Sequence, residues 1–394
     1  MKTFRPTLVC SLLMLVALSF FLWGSTAFAA STTTNPTSHN RITFQHACAS
    51  VPFGQARCAA MVAQLEHSSQ ALAVNPDANP PGGSPPYGPA NLHSAYNLPT
   101  TAPGTPTVAI VDAFNDPNAS SDLATYRSQF GLPSCTTGNG CLRIVNQTGG
   151  STLPSNNTGW AVEESLDLDM VSAICENCHI LLVEASSATN NNLGTAVNTA
   201  VRLGAIAVSN SYGENEFSTE NSPCSSFYQH NNVAVTASSG DSGLGVSYPA
   251  VCSTVIGVGG TTLNTDGSET DWNTSSTEGA GGGCSSFVSK PSWQSSSLTG
   301  CSRKAVSDVS AVADPNTGVL VFDSFNEPGF LQVGGTSASS PIIAATFALA
   351  GNVASTTSPA SLVWTNFTTG LFEVGGVRYS FQGGLGSPNG VSDF

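Results

Sequence analysis

Residues 334–341, Gly-Gly-Thr-Ser-Ala-Ser-Ser-Pro, run into Ile-Ile-Ala-Ala-Thr-Phe-Ala-Leu-Ala-Gly-Asn-Val at 342–353, which puts Ser337 at the mouth of a long apolar segment. Gly334 and Gly335 allow a tight turn ahead of the serine, and Pro341 is expected in the first helical turn, where a missing N–H costs little. A segment apolar on every side predicts a helix buried in the middle of a domain. A serine at such a helix start meets free N–H groups and the positive end of the helix dipole, which suits a hydroxyl that becomes an alkoxide and then an acyl ester. Read alone, the stretch is more often a Ser/Thr cap on a core helix. Its neighbours have to decide.

From Tyr87 onward the chain alternates β and α patterns. Apolar, β-rich runs at Val108–Val111, Ile180–Val183, Ala205–Val208, Val233–Thr236 and Val255–Val258 read as buried parallel strands. Helical segments are expected near Ser121–Gln129, Trp160–Ile174, Leu193–Leu203 and Phe217–His230. The pattern predicts an α/β domain, a mainly parallel twisted sheet with helices on both faces. Sites on such sheets collect at the carboxyl ends of strands, which here carry Asp112, Ser209-Asn210-Ser211 and Ser239-Gly240-Asp241.

In the helix Trp160–Ile174, Val162, Leu166, Met170 and Ala173 make an apolar stripe, and Glu163 and Asp167, four residues apart, share a face beside it. Two carboxylates at the rim of an apolar surface are costly unless they share a proton, and sharing raises one apparent pKa. A partly protonated pair can accept a hydroxyl proton and return it to a leaving amine. The plainer reading is an acidic, exposed face, with Glu164 and Asp169 adding charge.

Three motifs now stand in order. Glu163-Glu164-Ser165-Leu166-Asp167 resembles the Glu-x-x-Leu-Asp element of the sedolisins, the serine-carboxyl peptidases, and Ser238-Ser239-Gly240-Asp241-Ser242-Gly243 resembles their Ser-x-Gly-Asp-x-Gly loop. The third is the Gly-Thr-Ser stretch, and the similarity runs from about Tyr87 to Phe394. The resemblance implies a subtilisin-like fold. It casts Ser337 as nucleophile, Glu163 as general base and later acid, Asp167 as the residue that orients and polarises Glu163, and Asp241 as the oxyanion-hole acid. It also implies that Ser209-Asn210-Ser211-Tyr212-Gly213 binds the substrate backbone as a neighbouring strand. None of the six histidines, His39, His46, His67, His93, His179 and His230, stands in the His-Gly-Thr-His context of a subtilisin base. Asp112 is either an auxiliary carboxylate or a turn residue.

A carboxyl stabilises an oxyanion only while protonated, so activity is expected in acid, with an optimum at about pH 3–5, moved upward if the site is dry. The composition agrees: 11 Lys+Arg against 25 Asp+Glu argues against nucleic acid or an anionic membrane as partner. Met1–Ala29 reads as a signal peptide, with Lys2 and Arg5, an apolar run from Leu8 to Trp23, and Ala27-Phe28-Ala29 as cleavage site. The expected product is secreted, free of the membrane once the signal is removed, and monomeric, with protein or peptide substrates. Residues 30–83 read as a short prosegment with a Cys48–Cys58 pair, a helical stretch near Ala59–Leu72 and a Pro/Gly linker. This region is shorter than the usual sedolisin prosegment, and residues 84–394 form the peptidase domain. Loss of Cys10 with the signal leaves an even number of cysteines, and disulfides are the default in an exported chain. Proximity pairs Cys135 with Cys141, Cys175 with Cys178 and Cys284 with Cys301, leaving Cys224 with Cys252.

The C-terminal part departs from the sedolisin pattern. Where two calcium-binding aspartates are expected, the chain has Asn366 and Ser380, and Arg378 adds a positive charge. Weak or no calcium binding is expected, and no other metal or cofactor is called for. The alternative to an acid peptidase is a catalytically inactive peptidase fold serving as an extracellular binding protein. The lost aspartates favour that alternative, whereas Glu163, Asp167, Asp241 and Ser337 oppose it.

Overall fold

A computed structural model describes residues 41–68, 70–76, 83–365 and 367–394. The signal-peptide reading, His39, the middle of the Pro/Gly linker and Asn366 lie outside these residues. Those described belong to one compact unit, from Asn40 to Phe394.

Three strands open the described residues: β1 (Ile42–His46), β2 (Arg57–Cys58) and β3 (Met61–Leu65). The central sheet follows, built from β4 (Thr107–Ala113), β5 (Leu142–Asn146), β6 (His179–Ala185), β7 (Ala207–Asn210), β9 (Ala234–Ser238), β11 (Ile256–Leu263) and β12 (Glu269–Asp271). Beside it lie β8 (Tyr212–Asn215) and β10 (Ser247–Tyr248). The order across the sheet is β12-β11-β9-β7-β4-β6-β5, and β13 (Val309–Val312) also pairs with β11. Every pairing is parallel except β11 with β12. The expected subtilisin-like α/β architecture is therefore present.

Alternation along the strands explains the two layers of core. Val108 and Ile110 face α3 (Thr158–Ile174) and the long helix Thr336–Ala350, whereas Ala109 and Val111 face α4 (Asn190–Arg202). Helices α1 (Pro89–Tyr96) and α2 (Ala119–Gln129) flank α3. The helix Thr336–Ala350, called α5 below, lies against α3 and crosses β7, β9, β11 and β13. Its residues 336–349 are all buried. Each of Ile342, Ile343, Phe347 and Leu349 contributes about 1.5–3 kcal/mol by leaving water.

Several local expectations are corrected. The stretch Ala59–Leu72 is not helical, because Met61–Leu65 enters a four-stranded sheet between β1 and β15 (Gly329–Gly334), next to β14 (Val319–Asp323). Pairing on both sides overrides the local preference of its alanines. Phe217–His230 is not one helix either: Asn221–Pro223 makes a single turn and Cys224–Tyr228 a π-helical one. Pro223 supplies no N–H there, and Cys224 is tied to Cys252. The five disulfides are the pairs expected from proximity, Cys48–Cys58, Cys135–Cys141, Cys175–Cys178, Cys224–Cys252 and Cys284–Cys301. Among the described residues no helix is long and apolar enough to cross a membrane.

Candidate active site

Helix α5 begins at Thr336, capped by Gly335 at φ 98°, a backbone conformation that favours glycine. Pro341 therefore sits in the second turn, not the first. Its missing N–H releases the Ser337 carbonyl, which accepts from Ser211 Oγ at 3.3 Å instead. Ser337 is fully buried; its Oγ donates to the Ser211 carbonyl at 3.2 Å and accepts from Ala59 N–H at 3.1 Å.

Helix α3 starts at Asn157, whose side chain accepts from the N–H groups of Gly159 and Trp160. From Trp160 to Ile174 every residue is buried, so the exposed acidic face of the plainer reading does not exist. Glu163 Oε2 accepts from Ala60 N–H at 2.9 Å, and its Oε1 has no hydrogen-bond partner. Both oxygens of Asp167 face Ser211 Oγ, at 2.7 and 2.9 Å. Asp112, at the end of β4, is buried with both oxygens unpartnered. Burial pushes its carboxyl up to about 8. Burial, and then the charge of Asp112, raise Glu163 and Asp167 well above the usual carboxylate range, while Ser337 and Ala60 N–H pull Glu163 down and Ser211 pulls Asp167 down. Glu163, Asp167 and Asp112 are thus buried acids that interact through their charges. Glu163 and Asp167 are coupled through their charges; the hydrogen bonds that fix them run to Ala60 and Ser211.

Asp241 approaches from the loop after β9. Its Oδ1 accepts from Thr336 N–H and Thr336 Oγ1, both at 2.8 Å, and its Oδ2 has no partner. Burial raises the carboxyl to about 7, against the pull of the Thr336 bonds and of the Arg57 charge. Of the five residues expected to bind substrate backbone, Ser211, Tyr212 and Gly213 meet an added strand, since β8 pairs antiparallel with β2, Gly213 opposite Arg57 and Tyr212 opposite Cys58. Ser209 and Asn210 face inward, Ser209 Oγ to Ser340 Oγ at 3.0 Å and Asn210 Nδ2 to the Thr236 carbonyl at 2.8 Å. A cleft of about 560 Å³ opens beside this pairing, lined among others by His46, Arg57, Gly213 and Asp241.

Thr336, Glu184 and the Ala59–Ala60 segment were not singled out from sequence. Thr336 stands inside the Gly-Thr-Ser motif and was open to being read as the clamp on Asp241. Glu184 is opposite Asp112 in the β4–β6 register, a juxtaposition that only the folded sheet creates.

In the calcium-type loop, Ser380 and Arg378 are both engaged with protein groups. Ser380 Oγ donates to Asp271 Oδ1 at 2.7 Å and accepts from Gly383 N–H at 2.8 Å. Arg378 donates to the Phe367 carbonyl at 3.3 Å and pairs with Glu373. Away from the site, Asp116, Asp122 and Asp323 each bring an oxygen within 4.8 Å of the others. Burial raises Asp116 to about 6 and Asp323 to about 8, so these carboxyls hold protons in acid.

The subtilase family's sequence profile matches residues 149–370. Sedolisin from Pseudomonas sp. (strain 101) is 41% identical over 107 residues, 25% of this chain and 18% of that protein. Xanthomonalisin from Xanthomonas sp. (strain T-22) is 36% identical over 120 residues, 26% of this chain and 14% of that protein. The matched stretches thus span less than a fifth of either relative. The solved structure of Pseudomonas sedolisin, a serine-carboxyl proteinase complexed with two molecules of pseudo-iodotyrostatin, superposes with a TM-score of 0.64 at 26% identity, covering 78% of this chain and 96% of that one. With more than half its length matched by the family profile and 78% of it superposed on that structure, the chain belongs to the subtilase family as a sedolisin-like member.

Proposed function

We propose that the protein is a secreted, acid-active serine-carboxyl endopeptidase that hydrolyses peptide bonds through an acyl-enzyme on Ser337. The observation that carries this reading is a backbone segment lying across the site, with Ala59 N–H on Ser337 Oγ and Ala60 N–H on Glu163 Oε2. In the proposed cycle Glu163 takes the Ser337 proton and later returns it to the leaving amine. The nearby charge of Asp112 and burial in a dry pocket keep the Glu163 carboxyl ready to hold a proton, and Asp167 is fixed beside it by Ser211. Asp241, protonated on its unpartnered Oδ2, donates to the developing oxyanion, and Thr336 fixes its orientation. Ser211, Tyr212 and Gly213 hold the substrate backbone as a paired strand. With Asp241 raised to about 7, activity persists to higher pH than an ordinary aspartate would allow, in line with a dry site. The occupied positions of Arg378 and Ser380 support a loop that takes no calcium. Five disulfides support an oxidising, extracellular setting.

The test is digestion of a denatured protein at pH 4 by wild type and by Ser337→Ala. Digestion by wild type alone is expected. A correctly folded wild type that binds peptides and cuts none at any pH would make the protein an extracellular binding protein.

A further inference from the structure

The segment lying across Ser337 is the chain's own. Strand β2 pairs with β8, and Ala59 N–H continues that pairing onto the Ser211 carbonyl at 3.2 Å. The same nitrogen is 3.1 Å from Ser337 Oγ, and the Ala59 carbonyl carbon is two covalent bonds along from it. The Ala59 carbonyl oxygen crowds Gly335: a Cβ there would lie 1.9 Å from that oxygen and 2.8 Å from Asp241 Oδ2, so the carbonyl and the unpartnered carboxyl oxygen border one spot. On the other side of the bond, Ala60 N–H donates to Glu163 Oε2 at 2.9 Å. Nucleophile, oxyanion donor and leaving-group acid are thus disposed about a single peptide bond.

We propose that Ala59–Ala60 is a self-cleavage site and that the uncut chain is blocked by its own strand; this rests on the peptidase reading of the same residues. Ser337 Oγ attacks the Ala59 carbonyl carbon and its proton passes to Glu163. The C–N bond breaks as Glu163 protonates the Ala60 nitrogen, leaving an Ala59 ester on Ser337. Water hydrolyses that ester, giving a carboxylic acid at Ala59, an amine at Ala60 and the free hydroxyl. Both new ends arise in a buried place, with Ala59 7% and Ala60 0% exposed. An ammonium formed there is costly to keep out of water, so the ends separate. The cut fragment carries both Cys48 and Cys58 and has no disulfide to the rest of the chain. It is held by the β1–β3 and β2–β8 pairings, and its departure frees the edge of β8 for another peptide.

The experiment follows the full chain, prepared above pH 8 and shifted to pH 4, by intact mass and N-terminal sequencing while digestion of a denatured protein is measured in parallel. A new N-terminus at Ala60 is expected, with a first-order rate unchanged across a hundredfold range of protein concentration, digestion rising in step, and no cut in Ser337→Ala. Digestion with Ala59–Ala60 intact would overturn the self-cleavage site and leave the peptidase standing. A cut in Ser337→Ala equal to that in wild type would overturn it also. Failure of both the cut and the digestion from pH 2 to 8 would remove the peptidase reading, and this inference with it.

Discussion

At Asp241 the two carboxyl oxygens have different work: Oδ1 is taken by Thr336, and Oδ2 is left facing a carbonyl. Asparagine can reproduce this with its oxygen on Thr336 and its amide as donor, without needing a proton. Asp241→Asn is therefore expected to retain substantial activity at pH 4 and to extend it beyond pH 7, where the wild type fades. Asp241→Ala should lose roughly 10²–10³ in kcat at every pH. Steady-state kinetics across pH distinguish the two variants, and an Asp241→Asn profile that falls where wild type falls would count against a protonated Asp241. The carboxylates were legible because an i,i+4 spacing and a Gly-Asp loop are local signals. Ala59 and Ala60 were not, since two alanines carry no chemistry of their own and reach Ser337 only through a long-range strand pairing.

Helices α3 and α5 owe their placement to burial on every side, which the apolar run 342–353 announced. For α3 the sequence was ambiguous, because Glu163, Glu164, Asp167 and Asp169 look like a solvated face until α5 and β14 cover them. The starting turn of α5 was misplaced because Gly335, not a residue nearer Pro341, caps it. Between Met61 and Leu65 the sheet overrode a helical reading, as sheets do when both edges of a segment are paired. In the C-terminal loop, Arg378 bridges Glu373 and the Phe367 carbonyl and stacks over the Phe367 ring at 5.8 Å. Adding calcium or a chelator is expected to move Tm by less than about 1 °C, whereas Arg378→Ala should lower it by roughly 2–4 °C, the effect of about 1 kcal/mol. A calcium-dependent rise of several degrees in differential scanning fluorimetry would contradict this.

For the whole molecule, the buried acids set the pH range in which the fold holds. Asp116 is raised to about 6, Asp241 and Glu220 to about 7, and Asp112, Glu184 and Asp323 to about 8, burial being the largest cause in each. The folded state thus binds these protons more tightly than the unfolded chain. Their contribution to stability is complete below about pH 4 and is lost as pH rises through about 6 to 8. Melting temperature should be highest in acid and fall by roughly 10 °C by pH 8; a curve that climbs toward neutrality would contradict this. The excess of acids over bases is plain in the sequence, but it does not show which acids are buried, because Asp112, Glu184 and Asp323 are covered only once their strands are packed in the fold. The most direct measurement is kcat/KM on one peptide substrate from pH 2 to 9, using chain confirmed by mass to have its N-terminal segment removed, with Ser337→Ala as the reference. Activity that is strong in acid, fades as pH passes through about 7 and is absent in Ser337→Ala is the expected result. Activity that rises above pH 7, or survives the loss of Ser337, would contradict the serine-carboxyl mechanism.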